Sequence, residues 1–153
     1  MRYIFIYFGI IYTDFSKAFD KVDHLVLLKK MQSIGVCDSL LLLFRSYLCN
    51  RQQYVCYKKF NSDNYFVYSG VPQGSNLGPL LFIIFINDIC TQVTSQALLF
   101  ADDLKLFRSI DTIVDVNSLQ SDINTIAEWC DRNKLHFNTE KCKVMQITRK
   151  KII

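Results

Sequence analysis

Residues 98–107 read Leu98-Leu-Phe-Ala-Asp-Asp-Leu-Lys-Leu-Phe107. Two short apolar stretches around an acidic pair predict a tight hairpin with its carboxylates at the tip. A carboxylate in such apolar sequence is costly unless a metal or a partner neutralises it. Adjacent residues on an extended backbone point to opposite faces, so one of Asp102 and Asp103 faces a given metal and the other lies at its rim. A third carboxylate then has to come from elsewhere, and Asp14 ends an apolar run of the same character. Two or three converging carboxylates suit a hard, oxygen-seeking ion such as Mg²⁺, which keeps waters and substrate phosphates as its remaining ligands. The plain alternative is that Asp102-Asp103 is a turn and nothing more.

Working outward from this hairpin, residues 3–14 read as a central strand that delivers Asp14 to its carboxyl end. Asp23 stands where an N-cap belongs, ahead of Leu25, Leu28 and Met31, with Gly35 as C-cap. Asp38 or Ser39 is expected to cap a second helix running through Leu48. Segments 53–57 and 65–68 then form a hairpin around Phe60-Asn-Ser-Asp-Asn64. The loop from Val71 to Pro79 holds both prolines and opens an apolar helix from about Leu80. Leu119, Ile123, Ile126 and Cys130 mark one face of a further helix, and Lys143 to Thr148 reads as a closing strand. The order of elements predicts an α+β fold in which helices pack on one face of an antiparallel sheet.

With 153 residues and 50% hydrophobic content, the chain suits a single domain with one core, and its aromatic content of 14% excludes a disordered or low-complexity protein. Net charge is +4, from 18 Lys and Arg against 14 Asp and Glu, which permits a nucleic-acid partner without demanding one. The six cysteines show no C-x-x-C spacing, and reduced, intracellular thiols are expected. The apolar run from Tyr3 to Tyr12 is far shorter than the ~20 residues that span a bilayer, and no small-residue cleavage site follows it, so a buried strand is expected and no membrane partner.

Three segments together resemble the palm motifs of reverse transcriptases, specifically those of non-LTR (LINE-type) retrotransposons. They are Ile11-Tyr-Thr-Asp-Phe-Ser-Lys-Ala-Phe-Asp-Lys-Val-Asp-His24, Ser69-Gly-Val-Pro-Gln-Gly-Ser-Asn-Leu-Gly-Pro-Leu-Leu-Phe82 and Leu99-Phe-Ala-Asp-Asp-Leu104. A fourth, Trp129 followed by Asn133-Lys-Leu-His-Phe-Asn-Thr-Glu-Lys141, is similar to the family's next palm motif, so the resemblance covers about residues 10–148. It implies one polymerase palm-like (ferredoxin-like) domain over 1–153, with fingers and thumb largely absent. The implied activity is that of an RNA-directed DNA polymerase, acting on an RNA template, a DNA primer and deoxynucleotides. The chain by itself is then expected not to extend a primer.

By the same resemblance Asp14, Asp102 and Asp103 would hold two Mg²⁺ ions, with Mn²⁺ as a substitute and the carbonyl of Phe15 as an extra ligand. Phe19 matches the family's aromatic gate against a ribose 2′-hydroxyl. Gln73 and Gly74 match positions that pack against nucleotide and template, and Lys141 matches a lysine that donates a proton to pyrophosphate. An N-cap or an orienting salt bridge is the better account of Asp20 and Asp23, and core packing that of Trp129. His24 and His136 are assigned no metal. The competing reading is a palm remnant that binds RNA or protein without chemistry.

Overall fold

The computed structural model describes residues 7–148; the part of the expected first strand before Tyr7 lies outside them. In chain order the elements are β1 (Tyr7–Thr13), α1 (His24–Ser33), α2 (Asp38–Leu48), β2 (Arg51–Gln53), β3 (Cys56–Tyr57), β4 (Phe60–Asn61) and β5 (Tyr65–Val67). They continue with α3 (Leu77–Ile86), β6 (Gln96–Phe100), β7 (Asp103–Ile110), α4 (Ile113–Asn133) and β8 (Lys143–Thr148). The described residues form two compact units, one of residues 7–16 with 86–148 and the other of 17–85.

In the first unit the sheet order is β6-β7-β1-β8, with every neighbouring pair antiparallel. Strand β1 is therefore internal, as its apolar run predicts. Thr13 pairs with Leu104 and Tyr12 with both Lys105 and Lys143, so strand alternation gives the sheet two unlike faces. Thr13, Leu104, Leu106 and Ile110 are buried on one of them, where α4 packs against β7 and brings Leu119 close to Gly9. Trp129 of α4 is 2% exposed, a core residue as expected; its indole N–H donates to Asp88 at 3.1 Å. The opposite face carries Tyr12, Lys105 and Lys143.

Helix α4 begins at a cap in which Asp115 accepts the backbone N–H of Thr112 at 2.9 Å, and ends where Lys134 turns left-handed. Midway along it, Asp122 is a buried carboxylate. It accepts backbone N–H bonds from Thr94 and Ser95, both at 2.8 Å, and so ties the start of β6 to the helix.

In the second unit Asp23 caps α1 by accepting the Val26 N–H at 2.9 Å, and Gly35 takes φ +95° just past the helix. The N-cap of α2 is Cys37, without a side-chain bond, in place of the expected Asp38 or Ser39. Helix α3 starts at Leu77, three residues before Leu80. The Ser75 hydroxyl accepts the Gly78 N–H at 3.0 Å, and Pro79 lies in the first helical turn, where its missing N–H leaves no bond unmade. The expected hairpin is present in two stages: β2 pairs with β5, and β3 with β4 beyond it. Buried Leu27 and Met31 of α1, Leu48 of α2, and Leu81, Phe82 and Phe85 of α3 supply apolar core, each such side chain contributing ~1.5–3 kcal/mol. No helix among the described residues is long and apolar enough to cross a membrane.

Candidate active site

In the first unit the chain leaves β1 through Asp14, Phe15 and Ser16, and the segment 136–138 pins it there. The Asn138 N–H donates to the Asp14 carbonyl at 2.8 Å and the Ser16 N–H to the His136 carbonyl at 2.9 Å. Between these two bonds the buried Phe15 ring stacks on Phe137 at 5.4 Å. A tight turn follows, closed by the Lys141 N–H on the Asn138 carbonyl at 3.0 Å. That turn carries the Lys141 ammonium to 3.4 Å from Asp14 Oδ2.

Asp14 Oδ2 is itself buried and receives no hydrogen bond. Lys141 lies within ion-pairing range of it but is not aligned to donate, so the oxygen has charge compensation without a donor. Asp14, Asp103, Tyr12, Lys105, Lys141 and Lys143 line one cavity of about 600 Å³, in which Lys105 Nζ lies 5.1 Å from the centre of the Tyr12 ring. Three ammonium groups against two carboxylates leave it cationic.

Asp102 occupies the turn between β6 and β7, and Asp103 opens β7. The neighbouring Ala101 has φ +52°, a conformation that costs an L-residue ~1–2 kcal/mol and is held here by the hairpin pairing on either side. Of the acidic pair, Asp103 shares the cavity with Asp14. Among the described residues no three His, Cys, Asp or Glu side chains stand close enough to cage a metal ion. Asp14, Asp103 and Lys141 share the cavity, and Asp102 stands next to Asp103 in the turn. Strand alternation separates the side chains of Asp102 and Asp103, and Lys141 pairs with Asp14. The residues nevertheless fit Mg²⁺. That ion is usually held by one or two carboxylates with waters and phosphates completing its shell, and an undonated, buried Asp14 oxygen is a ready ligand.

In the second unit Phe19 stacks on Phe82, ring centres 4.1 Å apart. It lines a cavity of about 470 Å³ with Pro72, Gln73, Gly74, Ser75 and Gly78, so three of the sequence-predicted nucleotide residues come together. Asp20 accepts the Gln73 side-chain amide at 2.8 Å and thereby orients it. His24 bonds the Gly70 carbonyl at 2.8 Å. Gly70 has φ +87°, and a Cβ there would stand 2.8 Å from the Asp20 backbone. Sequence reasoning missed these supporting roles of Asp20 and His24. The only signal for either is its place inside the segment 11–24, since each partner lies some 50 residues away.

The reverse transcriptase (RNA-dependent DNA polymerase) family profile matches residues 8–152. Curated relatives include an RNA-directed DNA polymerase from mobile element jockey of Drosophila funebris, 32% identical over 93% of this chain and 16% of its own length. A probable RNA-directed DNA polymerase from transposon BS of Drosophila melanogaster is 33% identical over 88% of this chain and 16% of its own length. The chain thus spans about one sixth of these relatives, which are non-LTR retrotransposon polymerases. Among solved structures, apo telomerase from Candida tropicalis superposes with a TM-score of 0.73 at 13% identity, covering 95% of this chain and 32% of that one. Telomerase from Candida albicans, solved with a fragment of telomeric RNA, gives 0.69 at 16% identity over 90% of this chain and 28% of that one. These likenesses establish the fold.

Proposed function

The chain belongs to the reverse transcriptase family, and on that premise we propose that it supplies the palm of an RNA-directed DNA polymerase that joins deoxynucleotides to a primer on an RNA template. The observation that carries this reading is the buried, undonated Asp14 Oδ2 in a lysine-lined cavity shared with Asp103. Asp14 and Asp103, with Asp102 beside them, would hold Mg²⁺ or Mn²⁺, with the carbonyl of Phe15 as an extra ligand. When bound, the metal lowers the pKa of the attacking hydroxyl and neutralises charge on the transferring phosphate.

The protein's own groups supply the rest. Lys105 and Lys143, which line the cavity of Asp14, would supply positive charge to an anionic ligand there. Lys141 carries a proton on Nζ beside Asp14 and serves as the acid toward the departing pyrophosphate. In the second unit the cavity of Phe19, Gln73 and Gly74 is assigned to the nucleotide. The Phe19 ring, backed by Phe82, closes the space that a 2′-hydroxyl would need, while Asp20 fixes the Gln73 amide. Gly74, at φ +75° with nothing within 4 Å of a Cβ position, leaves the backbone open to close approach.

Mn²⁺ binding by the purified chain, followed by the EPR signal of free Mn²⁺, tests the acidic site. Wild type should deplete the signal, and Asp14→Asn and Asp103→Asn should not; equal binding by the variants overturns the assignment. In primer extension within a full-length relative carrying this segment, Phe19→Ala should admit ribonucleotides, and unchanged discrimination would remove Phe19 from the gate.

A further inference from the structure

The face of the first unit's sheet that bears Tyr12 can be followed row by row from the strand register. One row across the strands is Leu98, Lys105, Tyr12 and Lys143. The next is Gln96, Phe107, Ile10 and Met145, and the one after it Ser109, Phe8 and Ile147. Phe8, Leu98, Met145 and Ile147 are exposed, at 42% to 59%. One further step along β7 in the same alternation reaches Asp111, which lines a cavity of about 360 Å³ with Phe8, Phe107 and Ser109. Asp115 in that cavity is taken up by the helix cap and by Arg108 at 3.7 Å. The face therefore runs from a cationic row, through two apolar rows, to an acidic end.

That order is self-complementary. A twofold axis sets a patch against an identical patch, and two sheets can face each other about such an axis in two ways. With the axis along the strands, each row lies on the same row of the other copy, and four lysines crowd together. With the axis across the strands and centred between the apolar rows, each β7 lies over the other, antiparallel. Phe107, Ile10 and Met145 then cover Ser109, Phe8 and Ile147 of the second copy, and Lys105 of each copy stands over Asp111 of the other. Charge selects this second arrangement.

We propose that the chain pairs with a second copy of itself through this sheet face, strands antiparallel across the interface. The inference rests on register, exposure and charge, and not on the proposed function. Four strands ~4.8 Å apart and eight residues at ~3.4 Å per residue give a footprint of roughly 500 Å² on each copy. A total near 1,000 Å² is at the small end of specific interfaces, about the level that separates stable from transient pairs. The dissociation constant is accordingly expected in the micromolar range.

The experiment is sedimentation velocity of the full 153-residue chain from about 1 to 200 μM, a span that brackets a micromolar constant. Wild type should pass from monomer to dimer. Monomer throughout overturns the pairing, and growth beyond the dimer overturns a closed twofold pair in favour of association along strand edges. Ile147→Lys, which would bury an unpaired ammonium, should weaken pairing roughly 10-fold or more; an unchanged constant overturns this face as the interface. Asp111→Lys and Lys105→Glu should each weaken pairing roughly 3- to 10-fold by setting like charges opposite one another, and the double variant should return toward wild type. A double variant no tighter than either single one overturns the antiparallel arrangement. Ile147 and Asp111 are exposed, so these variants should fold, and a melt of each checks that. Met145→Glu, in the adjacent row of the same strand, repeats the test of the face should Ile147→Lys melt early.

Discussion

The acidic cavity of the first unit and the Phe19 cavity of the second are built by opposite means. Around Asp14 the work is done by regular structure: strand register brings Tyr12 opposite Lys105 and Lys143, and backbone bonds from 136–138 fix the strand end. Around Phe19 the support is irregular. Backbone bonds join Gly70 to Val22 and Val71 to Phe19, while Asp20, His24 and Ser75 satisfy the loop from their side chains. A register-built site tolerates changes of charge because its side chains project from a frame they do not hold up. A loop-built site has its conformation stored in the same residues that shape the cavity, so it should break under small steric changes.

The largest effect should therefore come from a single methyl group in the second unit. Gly70→Ala puts a Cβ 2.8 Å from the Cα and carbonyl oxygen of Asp20, at φ +87°. The left-handed conformation costs an L-residue ~1–2 kcal/mol, and overpacking against backbone adds ~1–3 kcal/mol. Gly74→Ala, also at positive φ but with open space around it, should lose only the conformational part. Paired urea unfolding curves measure both, and equal midpoints would show that close approach to Asp20 is not what fixes this loop.

A smaller loss, of about 2 kcal/mol, is expected in the first unit at Asp122, whose charge is bonded to two backbone N–H groups. Burial opposes its ionisation, but the bonds from Ser95 and Thr94 outweigh burial and hold its pKa below the ordinary 3.8. With the folded pKa below the unfolded one, the stabilisation is fully present above the unfolded value and is lost as pH falls through the folded one. Asp122→Asn should thus lower the melting temperature at neutral pH and flatten its decline in acid. A wild-type melting temperature that falls no faster than the variant's below pH 4 would contradict this.

The same contrast explains what the sequence made legible. Strand β8 at Lys143–Thr148, the Asp23 cap, the Asp102-Asp103 hairpin and the core role of Trp129 could all be read, because periodicity and capping are local. Nothing near Asp122 in sequence foretells two N–H donors 27 and 28 residues away. Pro79 falls in the expected loop rather than in helix α3 because the Ser75–Gly78 bond that starts the helix earlier is a matter of side-chain geometry. At Asp14 the family motif pointed to metals and to Lys141 as an acid. That Lys141 pairs with Asp14 directly follows only from the turn at 138–141.

The smallest expected effect tests whether the register-built site is as tolerant as its construction implies. Lys141 is mostly exposed while Asp14 is three-quarters buried, so the pair should contribute no more than ~0.2–1 kcal/mol to stability. Lys141→Met keeps the length and apolar stem and removes the charge. Strand pairing and the Asn138 bond still hold Asp14 in place, so the fold should survive with a melting temperature within a few degrees of wild type. Mn²⁺ should bind this variant more tightly, because the ammonium that repels a cation and occupies the range of Asp14 Oδ2 is gone. A gain of ~2- to 5-fold corresponds to a few tenths to one kcal/mol, the size expected of a solvent-screened charge. The gain should shrink in high salt and vanish in Asp14→Asn. If Lys141→Met instead binds Mn²⁺ more weakly, Lys141 organises the site rather than guarding it, and the acidic cavity depends on its side chains as closely as the Phe19 cavity does.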